Sequence, residues 1–184
     1  MIHHINVSTV LRKTVCDLYS NLVTRPTGVA VRKAIEESMA EGPQPRVTII
    51  DFTQVNLLDF SCADEVVGKL LDAHRREERE PHTYFLIRGV HDGHLEAIEA
   101  VLERYDLAVI VEDTAGNTRL VGTLDDGARR AWHVVSRHER VMPEEVAQEL
   151  GEPWGTALRV LDDLSARRLV MRLDDGYVSL PRAI

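Results

Sequence analysis

The chain has 184 residues, of which 44% are hydrophobic, and its formal net charge is −8. This length allows one large or two small domains, and this hydrophobic content is enough for packed cores and argues against disorder. The negative charge argues against a general nucleic-acid binder, and no segment reaches the ~20 consecutive apolar residues that span a bilayer.

Cysteine content and the start of the chain indicate where the protein works. The two cysteines, Cys16 and Cys62, lack the spacing of a metal site or a disulfide framework, and no basic region followed by an apolar one opens the sequence. We therefore expect a cytoplasmic protein that does not act on membranes. Residues 1–124 hold 13 Lys and Arg against 19 Asp and Glu, so most of the acidity lies there.

The N-terminal segment predicts a β-hairpin and then a helix. Residues 5–11 and 16–22 alternate between apolar and polar side chains, and residues 12–14 are expected to form the turn between them. Thr24-Arg25-Pro26 is expected to open the helix, because proline is tolerated in the first turn, and Gly42-Pro43 is expected to end it.

A buried strand followed by an amphipathic helix is the most informative stretch. The apolar run at residues 47–50 is typical of a strand that is buried on both faces. Asp59 and Ser61 follow, and either side chain can cap a helix. Apolar residues then recur at the spacing of one helical face, at Ala63, Val66, Val67, Leu70 and Leu71. The loop at the carboxyl end of the strand is therefore a candidate docking site.

Two more strands are predicted over residues 84–87 and 107–111, with a helix between them that Asp92 is expected to cap. A turn at Gly116-Asn117 and a short strand follow. Strands and helices in this order predict an α/β fold with a mixed sheet and right-handed crossovers between parallel strands.

The sequence changes character near residue 123, where buried strands give way to short helices. Helices are predicted over residues 128–135, 142–150 and 153–168, and a hairpin follows with its turn at Asp174-Asp175-Gly176. We therefore expect two domains, residues 1–122 and residues 123–184.

The first domain resembles the STAS domain, the fold of anti-sigma-factor antagonists, at Asp51, Leu57, Leu58, Asp59 and Ser61. The segment around Asp59 is closest to STAS-like variants that begin the helix with Phe-Ala-Asp-Glu. This chain differs in having Phe60 where the family's regulatory hydroxyl usually stands and Cys62 where it has Gly. The resemblance implies a regulatory protein partner of kinase-like or sigma/anti-sigma type.

Two interpretations stay open for the loop. Asp59, Asp64 and Glu65 form either an acidic docking edge for that partner or ordinary charges at a helix start. Phe60 is either an exposed aromatic anchor or is turned inward as a staple. Ser61 is either a phosphorylation site at a helix N-terminus or a capping hydroxyl.

The second domain resembles a bacterial winged helix-turn-helix domain, because three helices precede a hairpin. In that fold the third helix enters the major groove of DNA and the wing contacts the backbone. The resemblance makes Trp154, Thr156, Arg159 and Arg172 the candidate DNA-binding residues. Acidic residues at positions 162, 163, 174 and 175 oppose phosphate, so protein docking stays open as the alternative.

No catalytic constellation is visible, since the sequence lacks a nucleophile elbow, a Gly-rich phosphate loop and paired catalytic carboxylates. His91-Asp92-Gly93-His94 holds metal-binding residue types without the further ligands of a complete site. We expect no enzyme, cofactor or metal. The expected function is a transcriptional regulator that couples a partner-binding or phospho-switch domain to double-stranded DNA. The alternative is a scaffold protein that does not bind DNA. Whether it forms a homodimer stays open.

Overall fold

The structure, a computed structural model, describes residues 2–16, 20–40, 46–77, 82–174 and 176–180. Contacts between Cα atoms divide the chain into two compact units, Met1–Thr123 and Leu124–Ile184. None of the helices in the described ranges is both long and apolar enough to cross a membrane.

The first unit is built on a five-stranded mixed sheet. In order across the sheet, its strands are β1 (Ile2–Asn6), β3 (Arg46–Asp51), β5 (Thr83–Val90), β6 (Ala108–Asp113) and β7 (Thr118–Gly122). The first four are parallel, and β7 pairs antiparallel with β6. The α/β fold with a mixed sheet is therefore confirmed.

The helices of this unit supply the rest of its core. They are α1 (Val7–Thr14), α2 (Arg25–Ala40), α3 (Phe60–Ala63), α4 (Leu70–Arg75) and α5 (Asp92–Arg104). A π-helical segment, Asp64–Lys69, joins α3 to α4 without a break. The predicted stripe from Ala63 to Leu71 is buried in the core, and residues 47–50 are buried in β3.

The hairpin predicted for residues 5–22 is wrong. β1 ends at Asn6, whose side-chain oxygen accepts a hydrogen bond from Thr9 N at 2.9 Å and caps α1. Val7 and Leu11 alternate like strand residues, but they also lie one helical turn apart, and α1 buries both. Residues 17–19 lie outside the described ranges. In the described part of the second predicted strand, only Asn21–Leu22 form a strand, β2, which pairs in parallel with β4 (Leu57–Leu58).

The second unit consists of three helices and a hairpin. Its elements are α6 (Asp126–Arg137), α7 (Pro143–Leu150), α8 (Trp154–Ala166), β8 (Val170–Leu173) and β9 (Gly176–Ser179). The two strands are antiparallel, and Val141 adds a single bridge to Tyr177. Trp132, Leu161 and Leu164 are buried in this unit. Asp175 of the predicted turn lies outside the described residues.

Candidate partner-binding site

Asp59 is the N-cap of α3 and joins this helix to the segment before α2. Its Oδ1 accepts hydrogen bonds from the backbone N–H of Cys62 and the hydroxyl of Ser61, both at 2.8 Å. Its Oδ2 accepts one from the backbone N–H of Thr24 at 2.8 Å. Burial opposes ionisation of Asp59, but these donors outweigh it, so the pKa of the carboxyl lies below its usual value.

Ser61 is not the helix cap, because Asp59 fills that position. The Ser61 side chain is half-buried and donates its hydroxyl to the capping carboxylate. A phosphate at Ser61 would remove this donor and place a second anion next to Asp59. Phosphorylation at this position would therefore act directly on the cap that holds the loop.

Cys62 lies at a close contact between α2 and α3. Its thiol donates to the carbonyl oxygen of Thr24 at 3.0 Å, and a Cβ added to Gly28 would lie 3.0 Å from the Cys62 Cα. Burial, followed by the charge of Asp59, raises the pKa of the Cys62 thiol to about 12. The thiol therefore stays protonated and acts as a packing group and hydrogen-bond donor.

Asp64 and Glu65, candidates for an exposed docking edge on sequence grounds, lie inside the unit instead. Their side chains are 2% and 1% exposed, because the π-helical segment turns both toward α2 and α5. Buried carboxylates need charged or hydrogen-bonding partners. These two carboxylates hold the loop in place and do not face solvent.

Asp64 has three partners from distant parts of the sequence. Its carboxylate accepts hydrogen bonds from Arg25 at 2.7 Å, from Arg104 at 3.3 Å and from the Tyr105 hydroxyl at 3.1 Å. Burial opposes ionisation, but Arg25 and Tyr105 outweigh it and hold the pKa of Asp64 below its usual value. The helix start is thereby fixed to both α2 and α5.

Glu65 completes the buried network. Its carboxylate accepts hydrogen bonds from Arg25 at 2.7 Å and Arg32 at 3.1 Å, and it also pairs with Lys69. Burial opposes ionisation here too, but Lys69 and the arginines outweigh it and lower the pKa of Glu65. Arg25 and Arg32 were not predicted as part of this site, because nothing in the sequence spacing links them to a carboxylate more than 30 positions later.

Phe60 lies on the outside of this fixed loop. Its side chain is 42% exposed and that of Leu57 is 57% exposed, so the staple hypothesis, which requires a buried ring, does not hold. Phe60 borders a cavity of about 290 Å³ between the start of α3 and α5. The other residues that line the cavity are Leu58, Gly93, Glu96, Ala97 and Ala100.

His91 and His94 lie together at the start of α5. His91, and not Asp92 as predicted, caps this helix, because its Nδ1 accepts a hydrogen bond from Gly93 N at 3.1 Å. His94 is fully buried with its ring 3.5 Å from that of His91, and burial, followed by His91, lowers its pKa to about 4. In the described ranges, no group of three or more His, Cys, Asp and Glu side chains could hold a metal ion.

In the second unit, α8 presents candidate DNA-binding residues to solvent. Trp154 is 52% exposed, and its indole N–H donates to Glu144 at 2.9 Å. Arg159 is exposed and makes no ion pair with any described residue. Thr156 is half-buried in the first turn of the helix.

Arg172 on β8 is tied to α8. Its guanidinium pairs with Asp162 at 3.2 Å, and the same carboxylate accepts a hydrogen bond from the Tyr177 hydroxyl at 2.7 Å. Burial, followed by this hydrogen bond, raises the pKa of Tyr177 to about 12. Asp163 pairs with Arg167 at 2.9 Å. Both acidic residues in the second half of α8 are thus partly neutralised.

No model of a known protein family matches the chain, and a comparison with curated proteins finds no match either.

Proposed function

We propose that this chain is a transcriptional regulator whose first unit binds a regulatory protein through Phe60 and whose second unit binds double-stranded DNA. In this proposal the first unit is a STAS-like domain, the second is a winged helix-turn-helix domain, and the protein works in the cytoplasm. The observation that carries the proposal is the exposed Phe60 on a loop whose neighbours are fixed by buried hydrogen bonds.

Fixed geometry around Phe60 supports a binding role. Asp59, Asp64 and Glu65 hold the loop through bonds to α2 and α5, so little conformational entropy is lost when a partner contacts the ring. Aromatic side chains on such surfaces often supply most of the binding energy of an interface. In the isolated unit the exposed Phe60 ring contributes less to stability than it would contribute to an interface, because it is only partly removed from water.

The second unit supports DNA binding through α8. Arg159 presents a cation that no described carboxylate neutralises, and arginine is the side chain that most often reads guanine in the major groove. Asp162 and Asp163, the acidic residues that argue against phosphate contact, are already paired with Arg172 and Arg167.

Protein docking by the second unit is the second candidate. Trp154, Met142 and Leu173 are 52%, 42% and 39% exposed. Large exposed apolar side chains are more useful in a protein interface than against a charged phosphate backbone. In that case the chain is an interaction protein that does not bind DNA.

Selection from a random pool of DNA duplexes, with the full chain at low salt, tests the proposal. We expect an enriched sequence whose affinity Arg159→Ala lowers by about 1–3 kcal/mol, and we expect Arg172→Ala to weaken binding to all sequences alike. Arg130→Ala is the matched control, because Arg130 lies on α6 and pairs with Glu152. An unenriched pool with no measurable binding to duplexes would favour the docking alternative.

A further inference from the structure

The cavity beside Phe60 is part of an open groove along α5. Gly93, Ala97 and Ala100 form one face of this helix at the spacing i, i+4 and i+7, and their small side chains leave the groove unfilled. Leu58 and Phe60 form the opposite wall. We call this feature the α5 groove.

Four carboxylates run along one side of the α5 groove. Asp92, Glu96, Glu99 and Glu103 recur at i, i+4, i+7 and i+11, so they lie on one stripe of the helix. All four are exposed, and none forms an ion pair or a side-chain hydrogen bond with a described residue.

This charge pattern is unfavourable for α5 by itself. The helix dipole favours Asp92 in the first turn, but like charges at i and i+4 repel each other, and the dipole disfavours Glu103 in the last turn. A cationic partner along the stripe would relieve both effects. The apolar groove and the acidic stripe therefore fit one partner that carries apolar and basic side chains side by side.

The walls of the groove indicate the backbone form of that partner. α5 pairs its interior backbone groups within the helix, and at its start His91 accepts hydrogen bonds from the backbone N–H groups of Gly93, His94 and Leu95, so this face offers side chains. An extended segment in the groove would bury backbone groups without partners, whereas a helix satisfies its own. We propose that the α5 groove binds an amphipathic helix with Lys or Arg beside its apolar face. This inference rests on the partner-binding role proposed for Phe60.

A displayed library of random 16-residue peptides, selected on the full chain at low salt and counter-selected on the Phe60→Ala chain, tests the inference. We expect enriched peptides with apolar residues at i, i+4 and i+7 and with Lys or Arg on the adjacent side. Proline-containing, acidic or non-periodic peptides, or no enrichment that depends on Phe60, would overturn it.

The enriched peptide that binds most tightly gives the quantitative test by fluorescence anisotropy. Phe60→Ala should weaken it by at least about 30-fold, as for an interface hot spot. Glu96→Gln should weaken it by roughly 3- to 10-fold at low salt and less at high salt, since exposed charges are screened. Val15→Ala and Glu37→Gln, exposed side chains of the first unit outside the groove, are the matched controls and should leave affinity unchanged.

The two selections together separate this inference from the proposed function. If a DNA sequence is enriched but no peptide is, the proposed partner of the α5 groove is ruled out and the proposed DNA binding is retained. Phe60-dependent peptides that are not basic would keep Phe60 as a partner site and overturn the partner's chemistry. Failure of both selections would overturn the proposed function together with the inference.

Discussion

Asp59 stays ionised in the folded chain at a lower pH than a carboxyl group in water does. Because its pKa is lowered on folding, its charge stabilises the first unit above the unfolded pKa, near 4, and this contribution is lost as pH falls through the lower folded value. The pKa values of Asp64 and Glu65 are also lowered, so the pH dependence of their contributions has the same sign.

We therefore expect the melting temperature to fall as pH drops below about 4. Asp59→Asn, which keeps one acceptor oxygen but no charge, should flatten this dependence while lowering stability near neutral pH. Melting curves from pH 2 to 7, followed by circular dichroism, measure both. An unchanged pH profile in Asp59→Asn would show that its charge contributes nothing to the fold.

Substitutions of Ser61 test whether an added charge at the start of α3 is tolerated. Ser61→Ala should lower the free energy of unfolding by about 1 kcal/mol or less, the value of one half-buried hydrogen bond. Ser61→Asp should lower it further, because its carboxylate would lie next to Asp59. Urea denaturation of the two variants compares them directly. Greater stability of Ser61→Asp than of the wild type would mean that the helix dipole outweighs this repulsion.

At the scale of an element, the π-helical segment turns two consecutive acidic residues into the unit. Glu65→Ala should cost about 3 kcal/mol of unfolding free energy, at the lower end for a broken buried pair because Arg25 and Lys69 partly reach solvent. Glu36→Ala is the control, since Glu36 pairs with the same Arg32 nearer the surface and should cost under about 1 kcal/mol. Equal losses in urea denaturation would contradict the assigned burial.

The same helix shows how far the sequence could predict the structure. The apolar spacing from Ala63 to Leu71 correctly predicted the buried stripe. It could not predict that Asp64 and Glu65 are buried, because their cationic partners apart from Lys69 come from α2 and α5 and depend on tertiary packing. The prediction of a hairpin over residues 5–22 is wrong for a related reason, since Val7 and Leu11 fit the periods of both a strand and a helix.

At the scale of the whole molecule, each unit buries its own apolar side chains, and the second unit has an optical reporter of its own. Both tryptophans, Trp132 and Trp154, lie in the second unit, so their fluorescence follows that unit alone. Far-UV circular dichroism follows helices in both units.

We expect urea transitions measured by these two methods not to coincide, with one step in fluorescence and two components in circular dichroism. Separate chains of residues 1–123 and 124–184 should each reproduce one component. Coincident transitions in the full chain would show that the two units unfold as one.

Alkylation of the buried Cys62 thiol can report how often the start of α3 opens. A thiol with a pKa of about 12, inside the contact between α2 and α3, can be alkylated only while that contact is open. Cys16 is exposed and reacts without such opening, so each molecule carries its own reference for the reagent. The delay between the two reactions, followed by mass spectrometry, measures how rarely this contact opens. A partner held against Phe60 should lengthen that delay.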